Sequence, residues 1–364
     1  MRAQAHKVSD TLGWDRKYAV PFWFESNKRR YGELIEMKKK IRAGVINLGS
    51  TTDLPPPGSS FIGATRTIVF MNDESCPLPE ATGAVYVQCM KMAETGTALR
   101  EILKKTARPC VLVPTMGAFH AGHVSLIDRA RKMAGPSGTV VVSIFVNPIQ
   151  FDRAADLEAY PRPMESDLAT CEAAGVDVVF APNAESMYFP DRSVTVTESS
   201  LSRSLCGAVR PGHFDGVCTV VLKLFLLCDC DYAVFGEKDF QQLAIIRRMV
   251  RDLDVPVEII AAPTVREPDG LAMSSRNTRL TDEQRRDAPR IRRALLDAAT
   301  LTDPAEILAS ARAAIEASPL ARVDYLMLVD AENLLPITKI VRPAILATAV
   351  FYGEVRLIDH VGIA

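Results

Sequence analysis

Between about Thr95 and Ala262 the chain alternates two kinds of apolar pattern. Short runs dense in β-branched residues, at 111–113, 140–146, 176–180, 233–235 and 257–260, are separated by stretches whose apolar positions recur every third or fourth residue. The first kind predicts buried strands and the second predicts amphipathic helices, at 94–103, 124–134 and 240–253. Strands alternating with helices predict βαβ units and one parallel sheet, so residues 89–262 are expected to form an α/β domain. After Pro263 the pattern changes. Thr281-Asp-Glu-Gln284 has the form of a capping box, two alanine-rich helices are predicted up to about Ala317, and strand-like runs follow at 323–329 and 344–351. Residues 263–364 are therefore expected to be a smaller α+β domain that acts as a lid. Residues 1–88 carry both tryptophans, Trp14 and Trp23, a basic cluster from Lys28 to Arg42 and the turn-rich Asp53-Leu-Pro-Pro-Pro-Gly-Ser-Ser60. They are predicted to be a poorly ordered extension with one short amphipathic helix through Leu34, Ile35, Met37 and Ile41, and a chain starting at Met90 is expected to fold and stay active.

Ligands of such sheets lie at the carboxyl ends of the strands, and polar residues collect there in this sequence. The run Cys110-Val-Leu-Val-Pro114 leads into Thr-Met-Gly-Ala-Phe-His-Ala-Gly-His123, which places two of the five histidines three residues apart at a predicted helix start. A helix N-terminus attracts phosphate, two imidazoles add further donors, and Gly122 lacks the Cβ that would hold a ring off the backbone. A second strand end delivers Phe235-Gly-Glu-Lys-Asp239, with Gln242 on the same helix face as Lys238. Lys238 offers a mobile charge for phosphate and Asp239 an acceptor for a ribose hydroxyl. A third segment, Gly270-Leu-Ala-Met-Ser-Ser-Arg-Asn277, carries two hydroxyls and a guanidinium in a row and can close over a triphosphate. Taken singly, each motif also has a plain reading: histidines as cap or surface residues, a solvent-facing Lys-Asp helix start, a solvated loop.

Composition narrows the field. A chain of 364 residues, 48% of them hydrophobic, can bury a sizeable core. The net charge of −1 gives no broad basic field for nucleic acid. The eight cysteines lack CxxC pairs and lie in apolar runs, so they are read as reduced core thiols in a cytoplasmic protein rather than zinc ligands. No apolar run reaches the roughly 18 residues of a membrane span, and the first residues lack the order of a signal peptide.

The His-x-Gly-His turn resembles that of the adenylyl-transferring α/β superfamily that includes class I aminoacyl-tRNA synthetases. Its ordered companions are Val142-Ser-Ile-Phe-Val-Asn-Pro-Ile-Gln-Phe151, Asp156-Leu-Glu-Ala-Tyr-Pro-Arg162, Arg210-Pro-Gly-His-Phe-Asp-Gly216, Gly236-Glu-Lys-Asp-Phe-Gln-Gln242 and Met273-Ser-Ser-Arg-Asn277. In this order they resemble the pantoate–β-alanine ligase (pantothenate synthetase) family, from about Ala93 to the end. The resemblance implies a Rossmann-like domain, a C-terminal lid and a two-step ligation. Pantoate attacks ATP to give a pantoyl adenylate and pyrophosphate, then β-alanine displaces AMP. It further implies that His120, His123, Lys238 and Arg276 act in catalysis, with Met116, Gly236, Asp239, Val265, Met273, Ser274 and Ser275 completing the ATP site. Asn147, Gln150, Tyr160 and Gln242, again with Met116, would hold pantoate. Mg²⁺ would accompany ATP with Asp167 as its carboxylate, and the chain would form a homodimer through the nucleotide domain, with 194–196 in the contact. The Arg210–Gly216 loop is expected to cover the pocket, with a simple connection as the alternative. Two alternatives stay open: another adenylylating enzyme, which needs no Gln150 and Gln242 pair, and a non-catalytic module, which would have lost motif residues.

Overall fold

Strand β4, Cys110–Thr115, is apolar at consecutive positions and its first four residues are buried. A strand reads this way when helices cover both faces of a parallel sheet. The computed structural model describes residues 90–341 and 343–363, together with two short strands in the first 89 residues. The chain divides into two units, Met1–Cys89 and Met90–Ala364. Within the first, β1 (Ile68–Phe70) and β2 (Val85–Val87) pair in parallel. The tryptophans, the basic cluster, the turn-rich stretch and the amphipathic helix expected there lie outside the described residues.

In the second unit a six-stranded sheet runs in the order β3-β6-β5-β4-β7-β8. Its strands are β3 (Lys91–Ala93), β4, β5 (Thr139–Ile144), β6 (Val178–Phe180), β7 (Tyr232–Gly236) and β8 (Glu258–Ala262). All its pairings are parallel. From β4 the chain proceeds outward through β5 and β6, then returns to place β7 on the other side of β4. The strand order therefore reverses between β4 and β7, and a crevice opens at their carboxyl ends. The pleat sends Leu112 of β4 into one core layer with Leu224, Phe225, Ile245 and Ile246. Val111 and Val113 point the other way, into a layer with Ile127 and Ala130.

A second sheet, antiparallel in the order β11-β10-β9, comprises β9 (Ala321–Asp330), β10 (Ala344–Tyr352) and β11 (Val355–Ile363). It buries Leu328, Leu346 and Val350 against Ile291 and Leu295 of the helix Arg290–Ala298 and Ile307 and Ile315 of the helix Pro304–Glu316. The capping box expected at Thr281 and Gln284 is present at the start of the helix Asp282–Asp287. The fold is thus α/β with a separate small antiparallel sheet at the C-terminus.

Several elements depart from the expectation. Strands β3 and β11 were not foreseen. The larger departure is at Arg210–Gly216, expected as a loop over the pocket. His213–Gly216 instead form the first turn of a 16-residue helix, His213–Cys228. That helix is buried along most of its circumference, from Phe214 and Val217 through Phe225 and Cys228, so it carries no polar stripe for a sequence pattern to reveal.

Candidate active site

Two strand ends and one loop meet at the crevice. After β4 the chain turns through Gly117 and Ala118, both with positive φ, at 80° and 54°. Asp167, 2% exposed, fixes this turn: its Oδ2 accepts from the Ala118 N–H at 2.7 Å and its Oδ1 from the Phe119 N–H at 2.8 Å. Glycine is required at 117 on two counts, since a Cβ there would meet Asp167 Oδ2 at 2.7 Å and the left-handed backbone disfavours a side chain.

The turn delivers His120 as N-cap of the helix Ala121–Ala134. His120 Nδ1 accepts from the Gly122 N–H at 3.1 Å, and His123 Nδ1 accepts from the His120 N–H at 3.3 Å. A ring nitrogen that accepts a backbone N–H bears no proton, so each neutral ring carries its hydrogen on Nε2. Burial, with Lys238 nearby, pushes His120 down to about 4. Burial, His120 and Lys238 together push His123 to about 3. Both rings are therefore neutral donors at pH 7, with centroids 4.2 Å apart. The ring of His120 occupies the space that glycine leaves: a Cβ at Gly122 would lie 2.8 Å from His120 Cε1.

The second strand end, β7, leads through Gly236 into the short turn Glu237–Asp239, which carries Lys238. Both histidines sense the charge of Lys238, and His120 also senses Asp239. The third component is the segment Val265–Asn277. The Met273 N–H donates to Val265 O at 3.0 Å, closing a hairpin that turns at Gly270, where φ is 93°. Arg266 anchors this hairpin: it donates to both oxygens of Asp359 on β11, at 2.7 and 2.9 Å, and to Gly270 O at 3.1 Å. The same segment reaches the histidine turn, because Met273 Cβ lies 3.9 Å from where a Gly122 Cβ would be. Lys238, Ser274 and Arg276 line one cavity with Arg356 and Asp359. Tyr160, Ser275 and Arg276 line a neighbouring one with Phe151 and Arg279. Among the described residues neither Lys238 nor Arg276 has a carboxylate partner. Two cations without a carboxylate partner among the described residues, two neutral Nε2–H donors and two serine hydroxyls thus gather where an oxyanion can be received.

The recess expected to hold pantoate is marked by Gln150 and Met116. Gln150, 9% exposed, ends the short turn Pro148–Gln150. Its Nε2 points at the sulfur of Met116, 3.2 Å away, and its Oε1 accepts from Asn147 Nδ2 at 2.9 Å. Its backbone carbonyl meets His213 Nδ1 at 2.7 Å. Burial and the Arg210 charge push His213 down to about 4. Arg210 in turn pairs with Asp152 at 2.8 Å. The Arg210–Gly216 segment is therefore a buttress beneath Gln150, not a cover above it. Gln242 lies in the first turn of the helix Phe240–Asp252, its amide without a hydrogen-bond partner among the described residues.

Three residues sit elsewhere than the sequence reading had them. Asn147 is 1% exposed and donates both its N–H bonds within the protein, to Gln150 and to Gly216 O, so it backs the recess rather than lining it. Tyr160 lies on the side of Ser275 and Arg276, its ring edge-on to Phe151 at 5.9 Å. Burial pushes its phenol up, against a hydrogen bond with Ser275. Asp167 has both oxygens committed to the turn and offers no open edge to a metal ion. Among the described residues no group of three or more His, Cys, Asp or Glu is placed to hold one. Residues that sequence reasoning missed include Tyr188, Arg266 and Asp359, whose partners lie far along the chain, and Gln241. The amide of Gln241, next to Gln242, is consumed by Leu201 O, Ser204 O and the Cys206 N–H.

The pantoate–β-alanine ligase family model matches residues 88–362. The chain belongs to that family. It is 54% identical over 279 residues to the pantothenate synthetase of Akkermansia muciniphila, an alignment covering 75% of this chain and 99% of that protein. The crystal structure of pantothenate synthetase from Thermus thermophilus superposes with a TM-score of 0.70 at 45% identity, covering 75% of this chain and 99% of that one. Pantoate–β-alanine ligase from Francisella tularensis, complexed with β-γ ATP and β-alanine, superposes with a TM-score of 0.63 at 32% identity, covering 75% and 97%. The first 87 residues fall outside the matched segment. No helix among the described residues is long and apolar enough to cross a membrane.

Proposed function

We propose that this enzyme joins pantoate to β-alanine at the expense of ATP, by way of a pantoyl adenylate. The observation that carries the reading is the convergence of four donors, His120, His123, Lys238 and Arg276, on one crevice beside the recess of Gln150 and Met116. A carboxylate oxygen of pantoate bonds to the α-phosphorus while the bond from that phosphorus to the bridging oxygen breaks, and pyrophosphate leaves with the electron pair. The β-alanine nitrogen then bonds to the acyl carbon, the acyl C–O bond breaks toward AMP, and the nitrogen releases a proton. Neither step calls for a protein nucleophile. The protein's part is to align the reactants and to meet charge that grows on phosphate oxygens with donors already in place.

In this scheme the Nε2–H groups of His120 and His123 face the phosphates, and His123 meets the α-phosphoryl oxygens in the transition state. Lys238, Ser274, Ser275 and Arg276 hold the triphosphate, Asp239 holds the ribose, and Gly236, Val265 and Met273 frame the nucleotide. Tyr160 supports the Ser275–Arg276 side. Gln150 and Gln242 bind pantoate while Met116 packs on its methyl groups, and Asn147 serves behind Gln150. Magnesium enters as part of the nucleotide substrate, held by its phosphates and water, and Asp167 shapes the turn. The working form is a cytoplasmic homodimer, with the exposed Phe189 and Val194 available to its contact.

Product analysis tests the reading. With ATP, magnesium, pantoate and β-alanine the protein should form AMP and pantothenate in equal amounts. Lys238→Ala should lower turnover on the order of 10²–10³-fold with melting unchanged, the usual effect of removing a donor aimed at developing charge. Formation of ADP and phosphate, or near wild-type turnover by the folded variant, would contradict it.

A further inference from the structure

The direction in which Gln150 points its amide is set by a chain of hydrogen bonds that begins outside the recess. The Tyr188 hydroxyl is 2.7 Å from Asn147 Oδ1. Asn147 Nδ2 is 3.1 Å from Gly216 O and 2.9 Å from Gln150 Oε1. A backbone carbonyl can only accept, so the Asn147 atom facing Gly216 O must be the nitrogen. The other end of that amide is then the oxygen, and Tyr188 must donate to it. The Gln150 atom facing the Asn147 nitrogen must likewise be oxygen. This leaves the Gln150 NH₂ turned to the recess, where its partner is the Met116 sulfur at 3.2 Å. A thioether is a weak acceptor, so a carboxylate or hydroxyl oxygen displaces it with a gain in hydrogen-bond strength.

We infer that Tyr188 is a positioning residue for the acid substrate: through Asn147 it holds the Gln150 amide with its donors toward the recess. The inference rests on the reading of Gln150 as a pantoate-binding residue. Without the hydroxyl, Asn147 Oδ1 is left in a buried site lacking its donor, and the Asn147 and Gln150 amides lose their fixed alignment. The Tyr188 ring is held independently, against Phe145 at 6.1 Å and beneath the Arg192 guanidinium at 5.5 Å, so removing the oxygen alone leaves the ring seated. The position was silent in the sequence because Tyr188 and Asn147 are 41 residues apart.

Tyr188→Phe separates this role from simple support. It should raise the pantoate KM about tenfold, with kcat and the ATP KM within about twofold of wild type. In a Gln150→Ala background the same substitution should have little further effect, because the amide it orients is gone. A pantoate KM within twofold of wild type, a fall in kcat at unchanged KM, or an equal effect in both backgrounds would overturn the inference. A readout independent of turnover is the Gln150 side-chain NH₂ resonance in ¹⁵N-labelled protein, assigned by its loss in Gln150→Glu. It should shift in Tyr188→Phe, and an unmoved resonance overturns the relay. Wild-type protein that turns over no pantoate, with the resonance shifting as expected, would sink the functional reading and leave the relay standing.

Discussion

His120, His123 and His213 are kept neutral by burial and by the cations beside them, two facing the crevice and one beneath Gln150. Neutrality suits the work proposed for the first two, because an Nε2–H that has given up no solvation to become charged is ready to donate to a phosphate. It also ties stability to pH. The folded values, about 4, 3 and 4, lie below the 6.5 of an ordinary histidine, so the unfolded chain binds more protons than the folded one in the interval between. Their contribution is complete above pH 6.5 and declines as pH falls toward the folded values. Each histidine accounts for at most about 1.4 kcal/mol per pH unit within that interval, and less where solvent reaches the ring. Urea unfolding should give a lower stability at pH 5 than at pH 7.5, and His213→Asn should flatten the difference. Equal stability at the two pH values would show that the rings are not held neutral.

At the scale of elements, the contact between the helix His213–Cys228 and the turn Pro148–Gln150 decides where Gln150 stands. A Cβ on Gly216 would lie 2.4 Å from Ile149 O and 2.7 Å from Gln150 Cα, both backbone atoms with little room to give. On helix propensity alone Gly216→Ala would gain up to about 1 kcal/mol. The collision should reverse the sign: the variant should be destabilised by about 1–3 kcal/mol and bind pantoate more weakly, as melting and pantoate KM would record. A more stable variant would mean the two elements are not in contact as described. This contact also marks how far the sequence could be read. Strands β4, β5 and β7 were legible because burial on both faces leaves unbroken apolar runs, and the His-x-Gly-His and Ser-Ser-Arg segments because their chemistry is contiguous. The helix His213–Cys228 was hidden by its own burial. The tasks of Asp167, Asn147 and Tyr188 were hidden because their partners lie elsewhere in the chain, 49 residues away for Asp167 and Ala118.

For the whole molecule, the strand order is what converts scattered motifs into a site. Reversal between β4 and β7 brings the histidine turn and the Lys238 turn to one crevice, and the Arg266–Asp359 pair ties the Val265–Met273 hairpin to the C-terminal sheet across it. That architecture favours a reaction in which donors from several elements surround a phosphate and no side chain attacks. The most direct measurement is exchange of labelled pyrophosphate into ATP with pantoate and magnesium present and β-alanine left out. Exchange that depends on pantoate is the predicted result, since the first step alone is then reversible. No exchange, or exchange that proceeds equally without pantoate, would contradict a pantoyl adenylate formed in this crevice.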